Sequence, residues 1–267
     1  MIVRTTVGRV GFDEAGTGEA VLLLHGFPHD RTLWTPQLRS PAAGVRLIAP
    51  DLPGFGESDP LPLPSLDTWA DGVVSLLDTL GVRRAIVGGL SMGGYLALAC
   101  WRRHPERIAG LVLADTRAGA DSAEARDRRV AMQALARTEG AAAVAERMGP
   151  GMTGRTTRET RPEVIATLDT MMRRAGADAL VDALQVLMDR PDATPTLGTI
   201  TVPTLILCGD EDVLTPVSES RALHAAIPDS RLEVIRGAGH VSNVEAPSAF
   251  NRLLSAFVTA TIRSGQT

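Results

Sequence analysis

Gly89-Leu90-Ser91-Met92-Gly93 reads Gly-x-Ser-x-Gly and joins an apolar, strand-like run (Arg84-Ala-Ile-Val-Gly88) to a helix-like one (Gly94-Tyr-Leu-Ala-Leu-Ala-Cys-Trp101). A serine at such a strand-to-helix turn is held in a strained backbone conformation, with its Oγ above the sheet edge. The flanking glycines are required because a Cβ at either position would crowd the neighbouring strand and helix. The helix that follows aims its first N–H groups at the same spot, where an oxyanion would form. The pentapeptide alone is a common pattern. Its placement between strand and helix is what marks Ser91 as a candidate nucleophile.

A serine hydroxyl needs a base to take its proton, and that base must be oriented and its charge offset. On a strand–turn–helix of this kind the acid and then the histidine follow the nucleophile along the chain. Of five histidines, only His224 and His240 come well after Ser91. His224 lies within the helical period of Val217–Ile227, whereas His240 ends the glycine-rich loop Arg236-Gly-Ala-Gly-His240 beyond a strand-like run. That position lets His240 reach over the sheet edge as the base. The acid should follow the strand Val202–Gly209, where Asp210, Glu211 and Asp212 stand in a row. Spacing does not choose among them; the two not used face solvent or hold the loop.

Other segments extend the pattern. Gly209-Asp-Glu-Asp212-Val-Leu-Thr-Pro216 resembles the Gly-x-x-Asp-x-x-x-Pro segment of α/β-hydrolase-fold enzymes, in which the Asp three residues after the Gly completes a triad. His25-Gly-Phe-Pro28 is similar to that family's oxyanion loop, and Asp51-Leu-Pro-Gly-Phe-Gly-Glu-Ser58 to the loop after its next strand. Arg103-His-Pro-Glu-Arg107 with Ile108–Asp115 resembles the junction after the elbow. The matches cover about residues 20–118 and 200–258. The resemblance implies Asp212 as the acid, with the N–H groups of Phe27 and Met92 as the oxyanion hole. It also implies that His25 shapes the oxyanion loop by hydrogen bonding. Asp115, at a strand end, is the alternative source of the acid. His29 is expected on a loop or pocket rim, and His104 at a helix end.

At 267 residues and 44% hydrophobic content, the chain suits one large α/β domain with an insertion. Short strands alternate with helices, which argues a mostly parallel sheet covered on both faces. Strands are expected near 45–50, 84–89, 108–114, 203–208 and 231–236, and helices near 66–80, 91–103, 218–227 and 245–262. Residues 2–13 and 19–25 read as an edge hairpin turning at Gly16-Thr-Gly18. The resemblance implies an eight-stranded sheet with a core domain over 1–116 and 197–267. Residues 117–196 read as three or four amphipathic helices, and the resemblance makes them a cap. That segment has no Phe, Trp, Tyr or His, but holds six of the eight methionines. Methionine can line an adaptable apolar pocket or simply fill gaps in a helical core. Met148 and Met152, in a glycine-flanked loop, are the best candidates to face substrate. The cap arginines could clamp a carboxylate substrate or cover a solvated helix face. Trp34 is a candidate pocket wall or, equally, a residue packed on the sheet.

A net charge of −4 gives no electrostatic case for nucleic acid or an anionic membrane. The first twenty residues lack a basic segment followed by an apolar one, and no run of 18 apolar residues exists, so a cytoplasmic chain is expected. Two unmatched cysteines, Cys100 and Cys208, read as small buried hydrophobes. All 27 basic residues are arginine, which excludes Schiff-base, P-loop lysine and Ser-Lys chemistry. Metal-ligand spacing is missing, and neither metal nor cofactor is expected.

The reading that results is a cofactor-free serine hydrolase that acts on a small-molecule ester or lactone. A serine at position 91 argues against the dehalogenase and epoxide-hydrolase branches, which need a carboxylate there. Carbon–carbon bond hydrolases, perhydrolases and acyltransferases share the triad and remain alternatives. A non-catalytic small-ligand receptor on the same fold is the alternative of another class.

Overall fold

The computed structural model describes residues 1–264. In chain order the elements are β1 (Ile2–Thr5), β2 (Gly8–Gly16), β3 (Glu19–Leu24), α1 (Thr35–Leu38), β4 (Val45–Pro50), α2 (Leu66–Thr79), β5 (Ala85–Leu90), α3 (Met92–Arg103) and β6 (Ile108–Ala114). Four helical stretches follow: α4 (Ala123–Met152, two helices joined across a kink at Gly140, where φ is 76°), α5 (Arg155–Thr160), α6 (Pro162–Met172) and α7 (Ala177–Asp189). The chain then returns through β7 (Thr204–Gly209), α8 (Val217–Ala226), β8 (Ser230–Ile235), α9 (Ser242–Glu245) and α10 (Pro247–Ser264). The eight strands form one sheet in the order β1-β2-β4-β3-β5-β6-β7-β8. From β4 to β8 every pairing is parallel; only β1–β2 and β2–β4 are antiparallel.

The expected hairpin at Gly16-Thr-Gly18 does not form. The hairpin is β1–β2, and β4 lies between β2 and β3. The glycines instead let the chain pass tightly across the start of β4. Gly16 and Gly18 have φ of +80° and +119°, and a Cβ there would lie 2.2 Å from the Val45 carbonyl and 2.1 Å from that of Gly44. Turn-forming residues report a sharp bend, but not which strand the chain pairs with after it.

β3, β5 and β6 are nearly continuous apolar runs because helices cover both faces of the sheet. α2 shows the local logic. Ser65 caps it reciprocally with Thr68, a device worth about 1 kcal/mol. Leu66, Trp69, Ala70, Val73, Leu76 and Leu77 fall on one stripe and are buried. Packing on the sheet, rather than helix propensity, therefore holds the helix in place. α3 is buried from Met92 to Trp101, as an all-round apolar helix must be, and His104-Pro105 ends it. His104, at that end, bonds Asp71 Oδ1 through Nε2 at 2.7 Å. Cys100 and Cys208 are unpaired and buried, and burial pushes their thiols up to about 12 and about 11. Among the described residues no helix is long and apolar enough to cross a membrane.

Candidate active site

The C-terminal ends of β5, β7 and β8 deliver three side chains to one point. Ser91 follows β5 with φ 53° and ψ −111°, a sparsely populated conformation for a residue with a Cβ. Two contacts hold it there: its N–H donates to the Ala114 carbonyl at 2.9 Å, and its own carbonyl accepts from Thr116 Oγ1 at 2.8 Å. The neighbouring glycines have no room for a side chain. A Cβ on Gly89 would sit 2.0 Å from the Gly93 carbonyl, and one on Gly93 would sit 2.1 Å from that of Leu24.

Ser91 Oγ lies 2.8 Å from His240 Nε2, and His240 Nδ1 lies 2.8 Å from Asp212 Oδ2. Asp212 is fixed in turn by the Thr215 hydroxyl on Oδ2 at 2.6 Å, and by the N–H groups of Leu214 and Thr215 on Oδ1 at 2.8 and 3.0 Å. Burial works against charge on both partners. Their mutual attraction and hydrogen bond, with Thr215 adding to the acid's side, outweigh it. Asp212 is held below, and His240 above, its ordinary pKa. Of the three adjacent carboxylates, only Asp212 meets the imidazole. Asp210 accepts from Gly237 N–H at 2.7 Å, and Glu211 accepts from Thr156 N–H and Oγ1, both at 2.7 Å, which ties the loop to the start of α5.

Asp115 approaches the same region without touching His240. Its buried carboxyl accepts from Gly209 N–H at 2.9 Å, and from Ser242 Oγ and N–H at 2.6 and 3.1 Å. Burial, and then the charge of Asp212, push its pKa up to about 8. Asp115 thus braces β7 against α9.

His25 is locked: Nε2 accepts from Leu52 N–H at 2.9 Å while Nδ1–H donates to the Gly26 carbonyl at 3.1 Å. Burial holds its pKa down, so the ring is a neutral strut between the Gly26 loop and the Asp51 loop. His29 lies on a loop but is buried rather than at an open rim: 1% of it is exposed, and among the described residues neither ring nitrogen has a partner. Burial pushes it down to about 3. It lines a second cavity, of about 320 Å³, beside Arg31 and Arg174.

Ser91 and His240 open onto a cavity of about 570 Å³ between the sheet edge and the α4–α7 helices. Phe27 and Met92 line it, and among the described residues neither backbone N–H has a protein acceptor. Met148 and Met152 line it too, but they ride on the last turns of α4 rather than on a loop, because the helix runs on through Gly149-Pro150-Gly151. Trp34 is not part of the wall. It is fully buried against Phe250, with ring centroids 5.9 Å apart, among the side chains between the sheet and α10. Its position shortly after the His25–Pro28 loop in sequence says nothing about direction, and the chain turns inward at Asp30–Trp34. The sequence reading missed Tyr95, Leu214 and Thr215, which also line the cavity. It likewise left open Arg117, Arg128, Arg129 and Arg147 on the same wall. The signal was present for α4: Ala125, Arg128, Arg129, Met132 and Leu135 share one helix face. Among the described residues no group of three or more His, Cys, Asp or Glu side chains is placed to hold a metal ion.

Glu245 joins the loop of His240 to the helical excursion. Its carboxylate accepts from the N–H groups of Gly239 at 2.9 Å, Val241 at 3.2 Å and, across the interface, Gly154 at 2.7 Å. Glutamine offers one acceptor oxygen and turns an NH₂ toward an N–H, leaving a buried donor unmet. Glu245→Gln is expected to cost roughly 1–3 kcal/mol, read as a lowered Tm in thermal melts. An unchanged melt would show that these bonds add nothing.

The chain's similarities agree with this geometry. A family model described as alpha/beta hydrolase fold matches residues 19–247. Among curated proteins, a 2-hydroxy-6-oxononadienedioate/2-hydroxy-6-oxononatrienedioate hydrolase of Cupriavidus pinatubonensis is 30% identical, over 94% of this chain and 90% of that one. Among solved structures, a thermophilic esterase from Thermogutta terrifontis in a malate-bound form superposes with a TM-score of 0.94 at 37% identity, covering 98% of both chains. An enol-lactonase from Burkholderia xenovorans LB400 follows at TM-score 0.89 and 26% identity, over 97% of this chain and all of that one. An eight-stranded sheet with a strained serine after its fifth strand, matched by that family model over most of its length, places this chain in the α/β-hydrolase fold family.

Proposed function

We propose that the chain is a serine hydrolase that cleaves carboxylic esters or lactones through an acyl-enzyme on Ser91. The observation that carries this reading is the unbroken relay from Ser91 Oγ through the His240 ring to Asp212, facing a half-enclosed cavity. Ser91 Oγ attacks the acyl carbon while its proton passes to His240 Nε2. Asp212 keeps the Nδ1–H tautomer and offsets the imidazolium charge. The carbonyl electrons move to oxygen, where the N–H groups of Phe27 and Met92 receive them. Each such donor is worth about 2.7–4 kcal/mol in comparable sites. Collapse expels the alkoxide, which takes the proton from His240; in a lactone it stays tethered to the acyl group. Water, deprotonated by His240, then attacks the acyl-enzyme; the acyl–Oγ bond breaks, Ser91 Oγ takes the proton back from His240, and the acid is released. Nucleophile, base, acid and oxyanion donors all come from the chain, so the cycle needs no cofactor.

The helices α4–α7 act in this reading as a cap. Their contribution to the wall is Met, Leu, Ala, Gly and Arg, with the aromatic contacts Phe27 and Tyr95 supplied by the sheet domain. That lining favours a flexible aliphatic acyl group over one that must stack on rings. The test is a panel of esters, lactones, amides and a carbon–carbon bond substrate, run beside fluorophosphonate labelling. Multiple turnovers of esters or lactones, with the label on Ser91, are expected. Turnover of only the carbon–carbon substrate would overturn the bond assignment, and a single turnover or none would favour a receptor.

The pH profile follows from the same pair. His240 must be neutral to act as base, and its pKa is raised, so activity falls as pH drops through a midpoint above the ordinary histidine value of about 6.5. A kcat/KM profile on a neutral ester checks this. An acid limb well below that value would place the base elsewhere.

A further inference from the structure

The guanidinium groups around the cavity outnumber the carboxylates that balance them. Four arginines, Arg117, Arg128, Arg129 and Arg147, line the wall, and among the described residues no Asp or Glu does. Beneath them Asp121, fully buried, is shared by Arg117 at 2.9 Å, by Arg190 at 2.7 Å and by Arg129 in a close pair. Three guanidinium groups thus share one carboxylate in direct contact, and Glu219 adds only a longer-range field on Arg117. Arg117 also keeps a buried Nε–H that no group among the described residues accepts. At the mouth, Arg128 and Arg147 are exposed. Among the described residues neither has an ion-pair or hydrogen-bond partner, and Arg128 has only the longer-range field of Glu124 on its own helix. Uncompensated positive charge facing a half-enclosed apolar space is costly, and an anion entering that space relieves it. A planar guanidinium is also the side chain best shaped to hold a carboxylate by two parallel hydrogen bonds.

We propose that these arginines form a carboxylate-binding subsite, so that the preferred substrate carries a free carboxylate remote from the bond that Ser91 attacks. This rests on the ester or lactone reading above and narrows it to anionic substrates. The reacting carbonyl sits over Ser91 between the Phe27 and Met92 N–H groups. The aliphatic middle lies along the Met132 and Met148 wall, and the distal carboxylate meets Arg117 and the mouth pair. The field of four arginines also draws the anion in from solution.

The experiment compares 4-nitrophenyl butyrate with the half-ester 4-nitrophenyl hydrogen glutarate, which have the same leaving group and scissile bond. The half-ester should show about tenfold higher kcat/KM, an advantage that shrinks in about 0.5 M salt as the exposed charges are screened. In Arg128→Gln/Arg147→Gln, a double variant of two exposed positions, the half-ester to butyrate ratio should fall about tenfold through the KM of the half-ester. Arg117→Gln should move the ratio in the same direction. A wild-type ratio at or below one, or a ratio that none of these changes moves, overturns the subsite. Glutarate binding to Ser91→Ala by calorimetry separates this from failure of the ester reading. With neither ester turned over, binding that weakens about tenfold in the arginine variants would keep the subsite and sink the ester reading. No binding would sink the subsite itself.

Discussion

Ser91→Ala is expected to lower kcat on an ester by about 10⁶-fold and to abolish fluorophosphonate labelling, while the protein stays folded. The size of the loss follows from the relay. With Oγ removed no acyl-enzyme can form, and a water that is not held in place as the hydroxyl is would have to attack the substrate directly. A residual rate above solution hydrolysis should persist, because the Phe27 and Met92 N–H groups still polarise a bound carbonyl. The backbone at Ser91 is strained with or without the hydroxyl, and alanine fits the same turn, so circular dichroism and the melting temperature should move little. Steady-state kinetics, with mass spectrometry of the labelled protein, make the measurement. Wild-type turnover in this variant would remove Ser91 from the chemistry and the acyl-enzyme with it.

Asp212→Asn is expected to lower kcat by about 10⁴-fold with a smaller effect on KM. Asparagine has one oxygen where the carboxylate has two: placed at Oδ1 it keeps the bonds from the Leu214 and Thr215 N–H groups, and placed at Oδ2 it keeps that from the Thr215 hydroxyl. It then turns an NH₂ toward His240 Nδ1 or presents a neutral oxygen. In the first case the imidazole is forced into the tautomer with its proton on Nε2, which cannot accept from Ser91. In the second no negative charge offsets the imidazolium. Asp115 is the control, as a buried carboxylate at the end of β6, close to Asp212. It touches Gly209 and Ser242 rather than His240. Asp115→Asn should therefore act chiefly on stability and keep kcat within about tenfold of wild type. A fully active Asp212→Asn beside a dead Asp115→Asn would move the acid to the end of β6. Because the pKa of Asp115 is raised by burial, its ionisation is disfavoured in the folded protein. The stabilising effect of its protonated form is full well below about pH 4 relative to the unfolded chain. It is lost as pH rises toward about 8.

The sequence was enough for everything governed by local steric and chemical rules. The Gly-x-Ser-x-Gly turn needs its glycines because of backbone atoms a few residues away. The strand–helix alternation expresses one-sided and two-sided burial. His240 stood out because only a histidine on a glycine-rich loop past a strand end is free to reach over the sheet. What the sequence could not decide depends on long-range geometry. Gly16-Thr-Gly18 looked like a hairpin because the bend is local, while the insertion of β4 between β2 and β3 is a fact of the whole sheet. Trp34 lies close to the His25–Pro28 loop in sequence, yet the chain carries it to the side of the sheet that faces α10, against Phe250. Asp210, Glu211 and Asp212 are adjacent carboxylates of equal local chemistry. The path of the loop beyond β7 alone gives one to the imidazole, one to Gly237 and one to Thr156. The arginines of α4 read as a solvated face because charge is cheapest in water. Folding the helix back over Ser91 turned that face into a cavity wall, and only the tertiary structure shows how little negative charge it finds there.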